Sequence, residues 1–255
     1  MNMMNITRFL FLIFVAAGFV LVPQSPVDAQ QCIPLFNGTS LDGWTTLDGK
    51  PVAKGWEVVD GVLHLNVAQG RAGDIVTDRE YGDFILCFEW KIAPGGNNGV
   101  KYRVRKYGKR TLGCEYQMID DDGYKVKLPP TGSTGALYDL YEPSPAKVLN
   151  PVGQFNRSRI VVCGNRIEHW LNGRLIVVAH VGSAEWQRRV AASKFAKVPG
   201  FGENHDGRIM LTDHNSDVWY RSIELTPLHV VQHGSQVAVR GRRRGIFKRL
   251  LRRRH

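Results

Sequence analysis

Three segments of alternating polarity carry the side chains best suited to acid–base chemistry. In residues 88–92, 100–104 and 114–118 the apolar residues fall on one side of an extended chain. The polar residues on the other side include Glu89, Lys91, Arg103, Glu115 and Gln117. If the three strands are neighbours, these side chains form one polar patch on a sheet face. One such strand alone is usually a solvated face, but three together favour a binding groove, because surface ion pairs stabilise a sheet little.

The segment 115–120 adds another acid to this patch. If Met118 and Ile119 form a β-bulge, Asp120 returns to the side of Glu115. The spacing resembles the acidic signature of laminarinase-like retaining glycosidases, in which two carboxylates act on the glycosidic bond. In that signature an Asp stands between two Glu. Here Gln117 replaces the central Asp, and Asp120, which has a shorter side chain, replaces the second Glu. A retaining glycosidase is therefore kept as an alternative function.

His214 is the candidate for a base or a metal ligand, because histidine titrates near neutrality. It follows an expected strand at 208–211, although a lone surface histidine is equally common. The acidic run 120–122 lacks the ligand spacing of an EF-hand, so we interpret it as a turn. The sequence therefore predicts no certain cofactor, and it leaves a divalent metal ion open.

Turn signals recur about every ten residues and predict many short antiparallel strands. The Asp60-Gly61 pair predicts a two-residue hairpin, and Gly164-Asn165 with Asn172-Gly173 predict three consecutive strands between 158 and 181. Further strands are expected at 84–92, 100–106, 114–119, 136–141, 208–211 and 218–225, and one helix near 184–195. The pattern predicts an all-β jelly-roll sandwich of two antiparallel sheets with one short helix.

The two ends of the chain differ in composition from the segment of predicted strands between them. Residues 1–29 combine Arg8, an apolar run at 9–22 and a cleavage-like end at 27–29, which predicts a signal peptide and export to the periplasm or the outside. One β-sandwich domain is expected over residues 30–234, followed by a basic tail at 235–255. Gln31 before Cys32 disfavours lipid attachment.

The net charge of +11 belongs mainly to the tail, because residues 240–254 hold nine Arg and Lys and no acid. We therefore expect no nucleic-acid partner. The tail is either a solvated segment or a short amphipathic helix that contacts an anionic membrane or polysaccharide. The four cysteines allow either disulfides or free thiols, and the oligomeric state is not predicted.

A set of short motifs along the chain resembles the 3-keto-disaccharide hydrolase family, also described as a 3-keto-glucoside 1,2-lyase/3-keto-2-hydroxyglucal hydratase domain. The motifs are Leu35-Phe36-Asn37-Gly38, Leu41-Asp42-Gly43-Trp44, Phe88-Glu89-Trp90-Lys91-Ile92, Asn97-Asn98-Gly99-Val100, Glu115-Tyr116-Gln117-Met118-Ile119-Asp120, Gly135-Ala136-Leu137-Tyr138, His169-Trp170-Leu171-Asn172-Gly173 and residues 214–221. The resemblance covers about residues 35–228. This chain departs from the family pattern at four positions. Asn98 stands where Ser is usual, Phe155 where Trp is usual, Thr212 where Gln is usual and Ser222 where Asn is usual.

The resemblance implies a concanavalin-like jelly roll that acts on a carbohydrate substrate. The resemblance also implies the reaction, cleavage of 3-keto-glucosides by elimination across C1 and C2 to a 2-hydroxy-3-keto-glucal, which is then hydrated. The ketone acidifies the C2 hydrogen, so the site must supply a base, a cation at the ketone oxygen and a proton for the leaving group.

The sequence then predicts a role for each candidate residue. We expect Glu115 or His214 as the base, and Arg103 and Lys91 near the developing enolate. Binding or proton relay is expected from Glu89, Gln117, Asp120 and Tyr138. A non-catalytic carbohydrate-binding module and a scaffold protein remain alternatives, but a patch of acids and bases rather than exposed aromatic rings favours an enzyme.

Overall fold

The computed structural model describes residues 31–228 of the 255-residue chain. The predicted signal peptide, residues 1–29, and the basic tail, residues 235–255, lie outside the described residues. Within residues 31–228, no helix is long and apolar enough to cross a membrane.

Two antiparallel sheets pack face to face. The larger sheet contains β1 (Ile33–Pro34), β3 (Trp56–Val59), β4 (Val62–Leu65), β6 (Phe84–Ile92), β9 (Asn156–Cys163), β10 (Arg166–Leu171), β11 (Arg174–His180) and β13 (Val218–Pro227). The smaller sheet contains β2 (Trp44–Thr46), β5 (Ile75–Thr77), β7 (Asn97–Tyr107), β8 (Arg110–Ile119) and β12 (Arg208–Leu211). The strand orders are β11-β10-β9-β6-β13-β4-β3, with β1 beside β13, and β2-β5-β12-β7-β8. This jelly-roll-type sandwich is the predicted fold class.

The predicted hairpins form because their turn residues accept a left-handed backbone. Asp60 and Gly61 have φ of 49° and 77° between β3 and β4. Asn172 and Gly173 have φ of 46° and 81° between β10 and β11. Positive φ at both central residues is the requirement of a type I′ turn, whose twist matches that of the strands.

Alternating residues of the strands fill the core between the sheets. In β6 the buried positions are Phe84, Leu86, Phe88, Trp90 and Ile92. The helix α1 (Ala184–Ala191) is capped by Ser183, whose hydroxyl accepts the Trp186 N–H, and it buries Trp186 completely. The predicted helix therefore forms, but it ends at Ala191 and the chain continues to Phe195 in turns.

His169 belongs to the core. Its Nδ1 lies 2.9 Å from the Gly135 carbonyl and its Nε2 lies 2.9 Å from the Tyr102 hydroxyl. Burial lowers the pKa of His169 to about 4, so the ring is neutral, donates from Nδ1 and accepts at Nε2.

The structure decides two points, the strand expected at 136–141 and the pairing of the cysteines. The strand expected at 136–141 is wrong, because Asp139 has a φ of 62° and the N–H groups of Leu140 and Tyr141 both donate back to the Leu137 carbonyl. The chain there forms a tight turn that makes one isolated β-bridge to β8, between Leu137 and Tyr116. The four cysteines are free thiols, which decides the question of pairing that the sequence left open.

Candidate active site

One row of side chains crosses the outer face of the smaller sheet. Val76 of β5 lies opposite Met210 of β12, Met210 lies opposite Lys101 of β7, and Lys101 lies opposite Glu115 of β8. Directly opposite residues share a sheet face. Val76 and Met210 pack with Val104 in a small cluster separate from the main core, so the whole row faces outward.

Glu115 lies at the end of this row and is 6% exposed. Its Oε2 is 3.9 Å from Lys101 Nζ, and its Oε1 is 3.8 Å from Nε2 of His214, whose side chain is 40% exposed. A Cβ added at Gly99 would collide with Oε1, so the carboxylate lies directly over the bare backbone of β7. Glycine at position 99 is therefore needed for this placement.

Glu115 is held in its ionised form. Burial alone would raise the pKa of Glu115, but the interaction with His214 and the charges of Lys101 and Lys194 outweigh burial and lower it. A buried carboxylate that is charged at neutral pH is poised to accept a proton rather than to donate one.

Tyr138 and Lys194 complete the surroundings of Glu115. The Tyr138 N–H donates to the Glu115 carbonyl at 3.0 Å, and Lys194 Nζ lies 3.9 Å from the centroid of the Tyr138 ring. Burial raises the pKa of Tyr138, and the nearby Glu115 charge adds to this. Desolvation lowers the pKa of Lys194, against the pull of Glu115.

Lys194 is a functional candidate that the sequence did not reveal. It lies in the turn after α1, where its N–H donates to the Asp139 carboxylate at 2.8 Å. No periodic pattern marks such a residue. The charge of Lys194 reaches Glu115 only because the turn at Asp139 brings two distant loops together.

The segment that carries His214 is fixed by buried hydrogen bonds. The Thr212 N–H and hydroxyl both donate to the Gly99 carbonyl, and the Asn98 amide donates to the Thr212 carbonyl at 2.6 Å. The Asp213 carboxylate accepts the N–H groups of Ala72 and Gly73. Asn98 and Thr212, two of the positions that depart from the family pattern, thus contact each other directly.

The prediction that Glu89 and Lys91 share a patch with Glu115 is wrong. Their strand, β6, lies in the larger sheet between β9 and β13, whereas β7 and β8 belong to the smaller sheet. Glu89 pairs with Arg221, and Lys91 Nζ lies 4.6 Å from the ring centroid of Trp219. Alternation predicts which side of a strand a residue faces, but not which strands become neighbours.

Arg103 also lies away from Glu115. The pairing of β7 with β8 shifts between Tyr102 and Arg105, and Arg103 takes a φ of 49° within this bulge. The buried guanidinium donates to the Asp83 carboxylate at 2.9 Å and to the Gly164 carbonyl at 3.1 Å. The bulge therefore breaks the alternation from which the expected position was derived.

Gln117 and Asp120 have structural partners. Gln117 lies opposite Gly99 in the register, and its amide donates to the Gly132 carbonyl. The bulge expected at Met118 and Ile119 is absent, because the pairing of β8 with β7 is continuous through Ile119.

Asp120 instead stabilises a turn. Its carboxylate accepts the N–H groups of Gly95, Asp122 and Gly123. Burial would raise the pKa of Asp120, but these three backbone donors lower it. Of the acids in segment 115–120, Glu115 is the one aligned with the outward-facing row.

Few side chains around Glu115 could act as ligands of a metal ion. Among residues 31–228 no group of three or more His, Cys, Asp and Glu is placed to hold a metal ion. Glu115 and His214 offer two donors, whereas a catalytic zinc site takes three from the protein.

The fold and the site define a jelly-roll sandwich with an acid–base cluster on one outer sheet face. The chain belongs to the family of the 3-keto-alpha-glucoside-1,2-lyase-like domain, whose sequence profile matches residues 31–226. A curated relative, the 3-keto-disaccharide hydrolase of Bacteroides thetaiotaomicron, is 30% identical over 236 residues, which cover 80% of this chain and 81% of the relative.

Solved structures agree with this assignment. A candidate glycosyl hydrolase from Parabacteroides distasonis is 34% identical, with a TM-score of 0.72 over 79% of this chain and 96% of its own. A second protein of that description from the same organism is 24% identical, with a TM-score of 0.57 over 78% and 100%, and shows the fold alone. At the level of the family, the chain is a carbohydrate-active enzyme that cleaves glycosides.

Proposed function

We propose that this protein cleaves 3-keto-glucosides by elimination across C1 and C2, followed by hydration of the product. The observation that carries the proposal is Glu115, a buried carboxylate kept ionised beside Lys101 and His214 on an outer sheet face. The family and the curated relative support a 3-keto-sugar as the substrate.

The first step is removal of the C2 proton by Glu115. The ketone at C3 makes this proton acidic, because the electron pair left on C2 is delocalised onto the ketone oxygen as an enolate. The electron pair then forms the C1=C2 bond while the C1–O bond breaks. The leaving oxygen takes a proton, and the ring becomes a 2-hydroxy-3-keto-glucal.

Cations near Glu115 would stabilise the enolate. We assign this role to Lys101 and Lys194 instead of the expected Arg103 and Lys91. The positive charges of Lys101 and Lys194 lower the pKa of Glu115, so both act at this carboxylate. Fixed positive charge aimed at a developing oxyanion is commonly the largest contribution to such catalysis. No step is assigned to a metal ion.

His214 is proposed as the proton donor to the leaving group. Its side chain is 40% exposed, against 7% for Glu115, and its Nε2 lies 3.8 Å from Oε1 of Glu115. In the hydration step the same pair acts in reverse, so that water adds its oxygen to C1 and its proton to C2. The released sugar is then a 3-keto-glucose.

The N-terminal segment concerns where in the cell the enzyme acts. Residues 1–29 have the features of a signal peptide, so we propose that the enzyme acts in the periplasm or outside the cell. Detection of the mature enzyme in the periplasmic or culture fraction tests this, whereas an uncleaved chain confined to the cytoplasm contradicts it.

The variant Glu115→Gln tests the catalytic role. It keeps the shape of the side chain but removes the base, so turnover of 3-keto-trehalose should fall by about 10²-fold or more while binding is retained. Glu89→Gln is the matched control, because Glu89 lies on the larger sheet, and it should keep turnover.

Other outcomes identify the alternatives. Binding of 3-keto-trehalose without turnover by the wild type would indicate a binding module. Cleavage of unoxidised trehalose that is abolished by Glu115→Gln, or by Asp120→Asn in a variant that still folds, would indicate a two-carboxylate glycosidase. Loss of turnover in His214→Ala but not in Glu115→Gln would move the base to His214.

A further inference from the structure

A cleft of about 440 Å³ opens on the outer face of the larger sheet. Arg159 of β9 lies opposite Cys87 of β6 on one side and opposite Trp170 of β10 on the other, and all three residues line the cleft. Cys87 alternates with the core residues of β6, so this row faces away from the core. The cleft therefore lies on a different sheet from Glu115, and its residues are not among those that surround Glu115.

Arg157 and Arg159 supply the positive charge of the cleft. They are two positions apart in β9, so both side chains lie on the same outer face. Burial raises the pKa of the Cys87 thiol, and the charges of the two arginines both oppose this rise. Both guanidinium groups therefore lie near the same sulfur atom, and their charges converge on the cleft.

The acids near the cleft leave its two arginines without a partner. Glu89 pairs with Arg221, and Glu168 pairs with an arginine of its own strand at 2.7 Å. Glu224 lies beyond Cys87, in β13, and does not line the cleft. Within residues 31–228, neither arginine of the cleft forms an ion pair. Two like charges held close together repel each other, and an anionic ligand between them would remove this repulsion.

Arg159 is held flat on an aromatic ring. Its guanidinium carbon lies 4.0 Å from the ring centroid of Trp170, whose indole N–H donates to the Glu168 carboxylate at 2.7 Å. Arg159 Nε is buried and has no hydrogen-bond partner in the described part of the chain. A stacked guanidinium presents its N–H groups in one orientation, which suits the oxygens of a carboxylate, sulfate or phosphate group.

The size and lining of the cleft indicate that this anionic group belongs to a larger molecule. The volume lies within the range of small-molecule sites and well above that of a single carboxylate group. Asn172 and Gly173 of the turn between β10 and β11 also line the cleft, and the Asn172 side chain accepts the Arg157 N–H at 2.9 Å. Because the chain belongs to a carbohydrate-active family, a sugar is the molecule that we expect to carry the anionic group.

We propose that this cleft binds an acidic saccharide, with the carboxylate of a hexuronate unit between Arg157 and Arg159. The site is separate from the one at Glu115 and requires no 3-keto group on its ligand. It holds the enzyme on an acidic polysaccharide and leaves the outer face of the smaller sheet open to the substrate.

Alkylation of Cys87 measures occupancy of the cleft itself. The basic tail, residues 235–255, also attracts anions, so total binding of an acidic saccharide to the full chain does not report on the cleft alone. Digalacturonate should slow the alkylation of Cys87 in a concentration-dependent way, as measured by mass spectrometry of peptides from the full chain. Cys32 and Cys163 are exposed, do not line the cleft and serve as internal controls.

Three variants test the role of the arginines. Arg157→Gln and Arg159→Gln should each raise the digalacturonate concentration for half-protection about tenfold, the usual effect of losing one charged hydrogen bond. Arg188→Gln, at an exposed position of α1 that does not line the cleft, makes the same change in net charge and should leave that concentration unchanged. The neutral methyl ester of digalacturonate should not protect Cys87.

Several results would overturn the proposal. They are the absence of protection by digalacturonate, protection that the two arginine variants leave unchanged, and equal protection by the methyl ester or by inorganic phosphate alone. Turnover of 3-keto-trehalose should be unchanged in both arginine variants, and a fall would contradict the claim of a separate site. The protection assay requires no turnover, so failure of the proposed elimination reaction would not alter its result.

Discussion

Gly99→Ala displaces the proposed base without changing any charged residue. The added Cβ would collide with Oε1 of Glu115 and approach its Cγ and Cδ to 3.0 Å. The carboxylate must therefore move by about 1 Å, a displacement that can reduce turnover by about 10²-fold. Overpacking at this buried position should also lower the free energy of unfolding by about 1–3 kcal/mol.

The assay for Gly99→Ala combines two measurements. Release of glucose from 3-keto-trehalose gives kcat, and denaturant unfolding gives the stability of the same preparation. Gly82→Ala is the control for packing, because its added Cβ is also crowded, 3.3 Å from the His205 carbonyl oxygen, but none of its nearest atoms belongs to Glu115. It should keep kcat whatever it does to the stability. A folded Gly99→Ala variant with wild-type kcat would refute the claim that the position of Glu115 matters.

Four further outcomes follow from the charged and buried groups. Lys101→Met removes a charge that lowers the pKa of Glu115 against burial, so the acidic limb of the kcat profile should move to higher pH; an unmoved limb would argue against Glu115. Arg103→Met breaks the buried pair with Asp83 and should cost about 3 kcal/mol of unfolding free energy, while kcat of the folded fraction is retained. Burial keeps the pKa of His169 at about 4, below its unfolded value of about 6.5, so the unfolded chain binds more protons. Stability should therefore fall as the pH drops from about 6.5 to 4, and His169→Gln should flatten this slope in denaturant titrations. Treatment with EDTA should leave turnover unchanged, and loss of activity restored by a divalent ion would show that a metal takes part.

Local patterns predicted the parts of the fold that local chemistry decides. The Asp60-Gly61 and Asn172-Gly173 turns demand positive φ, and few other residue pairs supply it. The alternation in β6 likewise identified its buried side. These features depend on neighbours in sequence, so a single sequence contains them.

The errors in the candidate site arose from choices that local patterns do not decide. β6 and β7 are consecutive strands but enter different sheets, which separates Lys91 from Glu115. The bulge at Arg103 reverses the expected alternation. Lys194 influences Glu115 through the folding of two loops, and neither loop has a periodic signal.

In the proposed mechanism, bond cleavage begins with removal of the C2 proton by Glu115. The direct test is the reaction of 3-keto-trehalose in D₂O, with NMR analysis of the released 3-keto-glucose and subtraction of the exchange seen without enzyme. Elimination and hydration should place one solvent deuterium at C2 in every turnover, and Glu115→Gln should abolish both the release and the labelling. Rapid release of 3-keto-glucose that still carries its original hydrogen at C2 would contradict the mechanism.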